Sequence, residues 1–247
     1  YSHPVLPLDL SPQLEPALDA ARALIARSTP PDGELALVRS HDGKIVVGVE
    51  RSWRGAERLL GKLGIVGIIT ADRTHGEATV ELEPGLLGGP WDFAQASAAG
   101  NAALIATTRQ AVGRGPGRLV ELHAGAGNLT RGLVADGWDV IASDGVQPAQ
   151  PPARFELGPV EEVLARLEGP IDALVLDPPR SGAPEAIDGI VRLAPSTIVY
   201  VSCDPATLAR DVARLVAAGY RATDAWPIDL MPQTAHVEVV LRMIKAR

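Results

Sequence analysis

The chain has 247 residues, enough for one large domain or for a domain with a smaller companion, and enough to bury a sizeable core. With 46% hydrophobic residues it is not a disordered chain, and its 25 glycines and 21 prolines follow no repeat, so fibrous and low-complexity classes are excluded. Lys and Arg total 23 against 30 Asp and Glu, a net charge of -7, so any nucleic-acid surface has to be local.

The single cysteine, Cys203, excludes an internal disulfide and any all-cysteine metal or cluster site. It fits a reducing, cytoplasmic setting and leaves a thiol available as a nucleophile. The longest apolar run, residues 63–70, is far too short to span a membrane, and no signal peptide is visible. The sequence starts at Tyr1, as a processed or trimmed chain would.

The first 88 residues read as a small α+β subdomain. Ser11 is placed to cap a helix starting at Pro12, with Leu14, Leu18, Ala21 and Leu24 on one face. Residues 34–39 and 44–50 are strand-like, and His41-Asp42-Gly43 between them predicts a hairpin. Residues 51–62 look helical, which would put Arg51, Arg54, Arg58 and Lys62 on one face with Trp53 nearby for stacking. This is either a local RNA-contacting stripe through Arg54 and Arg58 or a solvated helix face. Residues 65–70 and 78–83 look like strands, and the Gly/Pro-rich segment 85–90 marks a boundary.

From residue 89 the rhythm changes. Helical patterns at 93–112, 129–135, 160–167 and 187–193 alternate with short apolar runs at 119–122, 140–142, 173–176 and 197–201. Such alternation predicts an α/β fold with a mostly parallel sheet and helices on both faces. Two final strand-like runs, 221–228 and 237–243, predict antiparallel strands closing one edge.

In such a sheet, ligands lie beyond the carboxyl ends of the strands. After Leu122 comes His123-Ala124-Gly125-Ala126-Gly127-Asn128, either a tight strand–helix turn or a place for a ligand to approach backbone at a helix start. After Ala142 comes Ser143-Asp144, where the acid is a loop residue or a double acceptor for ribose hydroxyls. Together they suggest a nucleoside-containing cofactor. After Leu176 comes Asp177-Pro178-Pro179-Arg180, in which two prolines stiffen the loop and hold the acid at the sheet edge.

After Val201 comes Ser202-Cys203-Asp204-Pro205, with Asp204 a helix cap and Pro205 its first residue. Cys203 is then either an inert core thiol or one whose pKa the helix end lowers. Glu238 interrupts an apolar strand run; it faces solvent, or it is a buried carboxylate with a raised pKa suited to be a base.

Phe93-Ala94-Gln95, residues 121–130, Asp177-Pro178-Pro179-Arg180-Ser181-Gly182, residues 201–211 and residues 229–238 occur in that order, and together they resemble the 5-methyluridine RNA methyltransferases, which use S-adenosylmethionine (SAM). The resemblance implies a Rossmann-like class I methyltransferase domain over residues 89–247. It implies Cys203 as nucleophile and Glu238 as base. Gln95, Glu121, His123, Gly125, Gly127, Asn128, Asp144 and Asp177 would form the SAM pocket. Asp177 and Arg180 would meet the target base, and Arg210 and Asp211 would be structural.

The implied reaction adds a thiolate to C6 of a uridine in rRNA or tRNA, methylates C5 and removes the C5 proton. The base would be flipped or in a single-stranded loop. The expected protein is a cytoplasmic monomer without membrane contact or metal.

The sequence departs from the family in four places. The RNA-binding β-barrel usual in front of this region is not among these residues. His3 stands where the last cluster cysteine would, so no iron–sulfur cluster is expected. Ser97 replaces an Asn, and the segment 147–152 replaces a helix and full strand after Asp144. Two other readings follow: a non-catalytic relative that kept the fold as an RNA-binding scaffold, or a methyltransferase acting on something other than RNA.

Overall fold

The computed structural model describes residues 14–83, 85–92, 95, 97–148, 150–230 and 236–246. The chain divides into two compact units, Tyr1–Ala94 and Gln95–Arg247. The expected boundary at 88/89 lies a few residues earlier, because Gly85, at φ +78°, turns a hairpin within the first unit.

In the first unit, helix α1 (Pro16–Ala26) opens with Pro16, and its N-cap Glu15 makes no side-chain cap bond. The helix thus starts later than the Pro12 expected; Ser11 and Pro12 lie outside the described residues. Strands β1 (Leu35–Arg39) and β2 (Ile45–Val49) form the expected hairpin. β3 (Ile65–Ile69) pairs parallel with β2, and β4 (Thr74–Gly76) completes this sheet. β5 (Val80–Glu83) and β6 (Leu86–Gly88) form a separate ribbon.

One core joins Ala21 and Ile25 to Ile45, Val47, Ile65 and Ile68; Val38, Val46 and Val80 form a second cluster. The helix expected over 51–62 is only a 3-10 turn, Ala56–Leu59. Gly55 at φ +84° precedes it and Gly61 at φ +78° follows, and such left-handed residues do not propagate an α-helix. Trp53 is buried in the core, 9% exposed, and so is not a stacking surface.

The second unit is a three-layer α/β domain. It contains α2 (Ala98–Val112), β7 (Arg118–Leu122), α3 (Thr130–Ala135), β8 (Asp139–Asp144), β9 (Arg154–Leu157) and α4 (Val160–Arg166). Then follow β10 (Ala173–Leu176), α5 (Ile187–Leu193), β11 (Thr197–Ser202), α6 (Pro205–Ala217), β12 (Tyr220–Ile228) and β13 (Glu238–Lys245). The sheet order is β12-β13-β11-β10-β7-β8-β9, parallel except where β13 runs antiparallel to both β11 and β12.

Strand periodicity sorts the two faces. Leu174, Leu176, Ile198 and Tyr200 point into one core with Val163 and Leu164 of α4, Ile187 and Ile190 of α5, and Leu208 and Leu215 of α6. Ala173, Val175, Val199 and Val201 point to the other, with Leu104 and Ala111 of α2 and Leu133 of α3. The segment after Asp144 does contain a strand: β9 pairs in parallel with β8 over four residues, a correction to the missing strand expected there. Arg154 and Glu156 alternate with Phe155, which is why a run this short and charged does not read as apolar.

Candidate active site

The strand order reverses between β7 and β10, so the crevice beyond their carboxyl ends is the topological switch point of the sheet. Four segments converge there.

The first is the turn after β7. Ala124 N–H donates to Ser143 O at 2.9 Å, extending the β7–β8 ladder, and Gly127 N–H donates to Ala124 O at 2.9 Å. His123 (φ +58°), Gly125 (φ +53°) and Gly127 (φ +88°) all take left-handed backbone. A Cβ on Gly127 would lie 2.6 Å from Pro152 Cγ, whereas one on Gly125 would enter open space. The first glycine therefore leaves room above the turn; the second is required by packing beneath it.

Asn128 and Asn101 of α2 exchange two side-chain hydrogen bonds, 3.0 and 2.8 Å, which fix the turn against that helix. Ser97, the departure from the family pattern, caps α2 by accepting from Gly100 N–H at 3.1 Å. No local signal marks Asn101 in the sequence; only its partner lies in a recognisable motif.

The second segment is the end of β8. Asp144 accepts Gly125 N–H at 2.9 Å through Oδ2 and Val146 N–H at 3.1 Å through Oδ1. Each oxygen keeps a lone pair for a further donor. Glu121, 2% exposed in β7, has one oxygen without a partner, and burial pushes its pKa up to about 8. Thr130 beside it pulls the other way, without forming a hydrogen bond to that oxygen. Burial lowers the pKa of His123, whose Nε2 also has no partner.

The third segment follows β10. Asp177 N–H reaches Leu122 O at 3.3 Å, which ties this loop to β7. Burial raises the Asp177 carboxyl to about 6. Arg180 is exposed three residues on.

The fourth joins β11 to β13. Ser202 pairs with Val239, and one residue further this antiparallel register sets Cys203 against Glu238. Glu238 is 5% exposed; burial, then the Asp177 charge, pushes it up to about 7. Of its two readings, the buried carboxylate is the one found.

Cys203 is half-buried, and its thiol is raised rather than lowered. Burial and the Glu238 charge outweigh Arg180, which pulls it down. The helix end is no help because the Asp204 carboxylate already takes Ala206 and Thr207 N–H, at 2.8 and 3.1 Å. That correction to the expected activation leaves Arg180, among the described residues, as the one side-chain group acting to stabilise the thiolate.

Gln95 is half-buried ahead of α2; Phe93 and Ala94 of its motif, like residues 231–235 before His236, lie outside the described residues. Arg54 and Arg58 are exposed in the first unit but share no helical face. Among the described residues no group of three or more His, Cys, Asp or Glu side chains could hold a metal, and no helix is long and apolar enough to cross a membrane.

The family model for tRNA (uracil-5-)-methyltransferase matches residues 166–246, which carry the third and fourth of these segments. Over these residues the chain is similar to that family. A curated relative, the 23S rRNA (uracil(1939)-C(5))-methyltransferase RlmD of Thiobacillus denitrificans, is 40% identical over 170 aligned residues, covering 61% of this chain and 39% of its own length. The corresponding protein of Pseudomonas entomophila is 38% identical, covering 61% of this chain and 37% of its own. The chain thus spans about two-fifths of the length of these curated relatives.

The fold is also that of the tRNA (uracil-54, C5)-methyltransferase of Pyrococcus abyssi, solved with S-adenosyl-L-homocysteine. The TM-score is 0.72 at 22% identity, over 84% of this chain and 58% of that one.

Proposed function

We propose that this chain transfers a methyl group from SAM to C5 of a uridine in RNA, in the cytoplasm, through a covalent adduct on Cys203. The observation that carries this reading is the β11–β13 register, which sets the lone thiol against a buried carboxylate at the mouth of the switch-point crevice.

The residues fit SAM. The left-handed turn with open space above Gly125 offers backbone to the ligand, Asp144 has lone pairs left for ribose hydroxyls, and Glu121 and His123 each hold an unpartnered polar atom nearby in sequence. Gln95, Asn128 and Asp177 complete the pocket, Asn128 by fixing the turn through Asn101. When bound, SAM supplies an electrophilic methyl group.

The chain's own residues make uracil reactive towards it. C5 of uracil is a poor nucleophile. The Cys203 thiolate adds to C6, and the C5–C6 electron pair shifts to make C5 nucleophilic. Arg180, a cation exposed beside the thiol, stabilises the negative charge of the thiolate and of the enolate that replaces it. Once C5 carries the methyl, Glu238 takes the remaining C5 proton, the double bond re-forms and the thiolate leaves. A carboxyl raised to about 7 suits this work, being ionised in part at neutral pH and more basic than an exposed glutamate. The uridine reaches the thiol only from an unpaired loop or flipped out of its stack.

The test is tritium release from unmodified tRNA and 23S rRNA transcripts labelled at uridine C5. Release that requires SAM and is lost in Cys203→Ala supports the reading. No release from either transcript under any condition contradicts it.

A further inference from the structure

The loop that carries Arg180 is bolted at its far side to a buried polar network. Asp211 of α6 is fully buried, and its Oδ2 accepts both the Tyr200 hydroxyl at 2.7 Å and Ala183 N–H at 2.9 Å. The Tyr200 oxygen in turn lies 3.2 Å from the same Ala183 N–H. Arg210 donates to Asp211 Oδ1 at 2.9 Å and, through its Nη2, to Ser181 O at 2.8 Å. Gly182 closes the turn by donating to Pro179 O at 2.8 Å, and it has to be glycine. Its φ is +75°, and a Cβ would lie 2.5 Å from both Arg210 and Asp211. Three side chains from β11 and α6, the two elements that flank Cys203, therefore fix the backbone just after Arg180 at Ser181 and Ala183, and the Gly182 turn ties Pro179 before it to this fixed stretch.

Burying a carboxylate and a tyrosine hydroxyl is costly unless every bond is made. A turn that only had to connect β10 to α5 would not need such a device. We propose that Tyr200, Asp211 and Arg210 are positioning residues, which hold Arg180 beside the Cys203 thiol and so set how readily that thiol ionises. The idea deepens the proposed reaction and rests on it for its purpose, but its test requires neither SAM nor RNA.

The thiol faces Arg180 from this loop and Glu238 from β13, while Asp204 at the start of α6 is influenced by Arg180 and His236. Of these groups only Arg180 is held by the network. Because Cys203 is the one cysteine in the chain, its alkylation by iodoacetamide as a function of pH reports it alone. Tyr200→Phe removes one hydroxyl, and Arg210→Gln, at a half-exposed position, cuts the tie to Ser181 with less risk to the fold.

Both are expected to move the alkylation midpoint upward by about 0.5 pH unit, and Arg180→Gln by at least as much. In the Arg180→Gln background Tyr200→Phe should move it no further. Circular dichroism confirms that each variant is folded. A midpoint unchanged in both Tyr200→Phe and Arg210→Gln overturns the proposal and leaves the network a purely structural brace. So does a midpoint unmoved by Arg180→Gln, or a Tyr200→Phe shift that persists without Arg180. Shifted midpoints in a protein that methylates no RNA would instead overturn the proposed reaction and leave this inference standing.

Discussion

The β11–β13 ladder ends at the Ser202–Val239 pair, and its register carried one residue further brings Cys203 opposite Glu238, whose charge helps to raise the thiol. In the proposed reaction the two act at opposite ends of one cycle: the thiolate opens it and the carboxylate closes it. Glu238→Gln should therefore allow addition and methyl transfer but block proton removal. The expected outcome is a turnover loss of 100-fold or more, on the order of what a general base contributes, with a protein–RNA adduct accumulating on ordinary uridine RNA in the presence of SAM. Gel electrophoresis under denaturing conditions reads it. Loss of turnover without adduct would assign Glu238 to an earlier step.

The rate should rise with pH. Glu238, raised to about 7, works only when ionised, and the thiol, raised above its ordinary value, ionises later still. Both groups thus gain their active form as pH increases. Single-turnover rates are expected to climb through pH 7 and to keep climbing above 8. A profile flat between pH 6 and 9 would contradict this assignment of base and nucleophile.

The two glycines of the turn after β7 should respond differently to alanine. Both have left-handed backbone, so each substitution costs about 1–2 kcal/mol of strain. Gly127→Ala adds a collision with Pro152 and should lower thermal stability further. Gly125→Ala adds no collision within the protein, yet its Cβ enters the space assigned to the ligand. It is expected to keep most of its stability and to lose SAM affinity at least tenfold in calorimetric titration. Undiminished affinity in Gly125→Ala would place the ligand elsewhere.

Glu121 makes stability fall as pH rises. Its pKa is raised from an ordinary 4.5 to about 8 in the folded chain, so the folded state holds the proton more tightly than the unfolded state does. The contribution is complete below pH 4.5 and is lost as pH rises through 8. A difference of one between folded and unfolded pKa is worth about 1.4 kcal/mol, so the decline amounts to a few kcal/mol across that window. Glu121→Gln should flatten it, as urea unfolding at pH 5 and pH 8.5 would show. An identical pH dependence in the variant would contradict the burial of a neutral carboxyl.

Much of this site is legible in the sequence because strand ends announce themselves. The buried strands β7, β10 and β11 are short apolar runs, and each is followed at once by its candidate site residues. The Asp204 cap and Pro205 also read correctly, since capping is a local property. What the sequence hides is non-local or interrupted. The Asn101–Asn128 pair spans 27 positions, and nothing about Asn101 marks it before the helix is docked. The α-helix expected over residues 51–62 fails at Gly55 and Gly61, whose left-handed backbone outweighs the cationic spacing. The raised Cys203 thiol needs knowledge of which residues bury it and of the carboxylate set against it; proximity to a helix start predicts the opposite sign.

The Cys203 adduct is tested most sharply with RNA in which 5-fluorouridine replaces uridine, incubated with SAM. Fluorine at C5 leaves no proton for Glu238 to remove, so a thiol adduct, once methylated, cannot eliminate. The expected result is a SAM-dependent covalent protein–RNA complex that survives denaturation, maps to Cys203 and is absent in Cys203→Ala. Methyl transfer to uridine in unsubstituted RNA that persists in Cys203→Ala, with no complex formed on the fluorinated RNA, would contradict it.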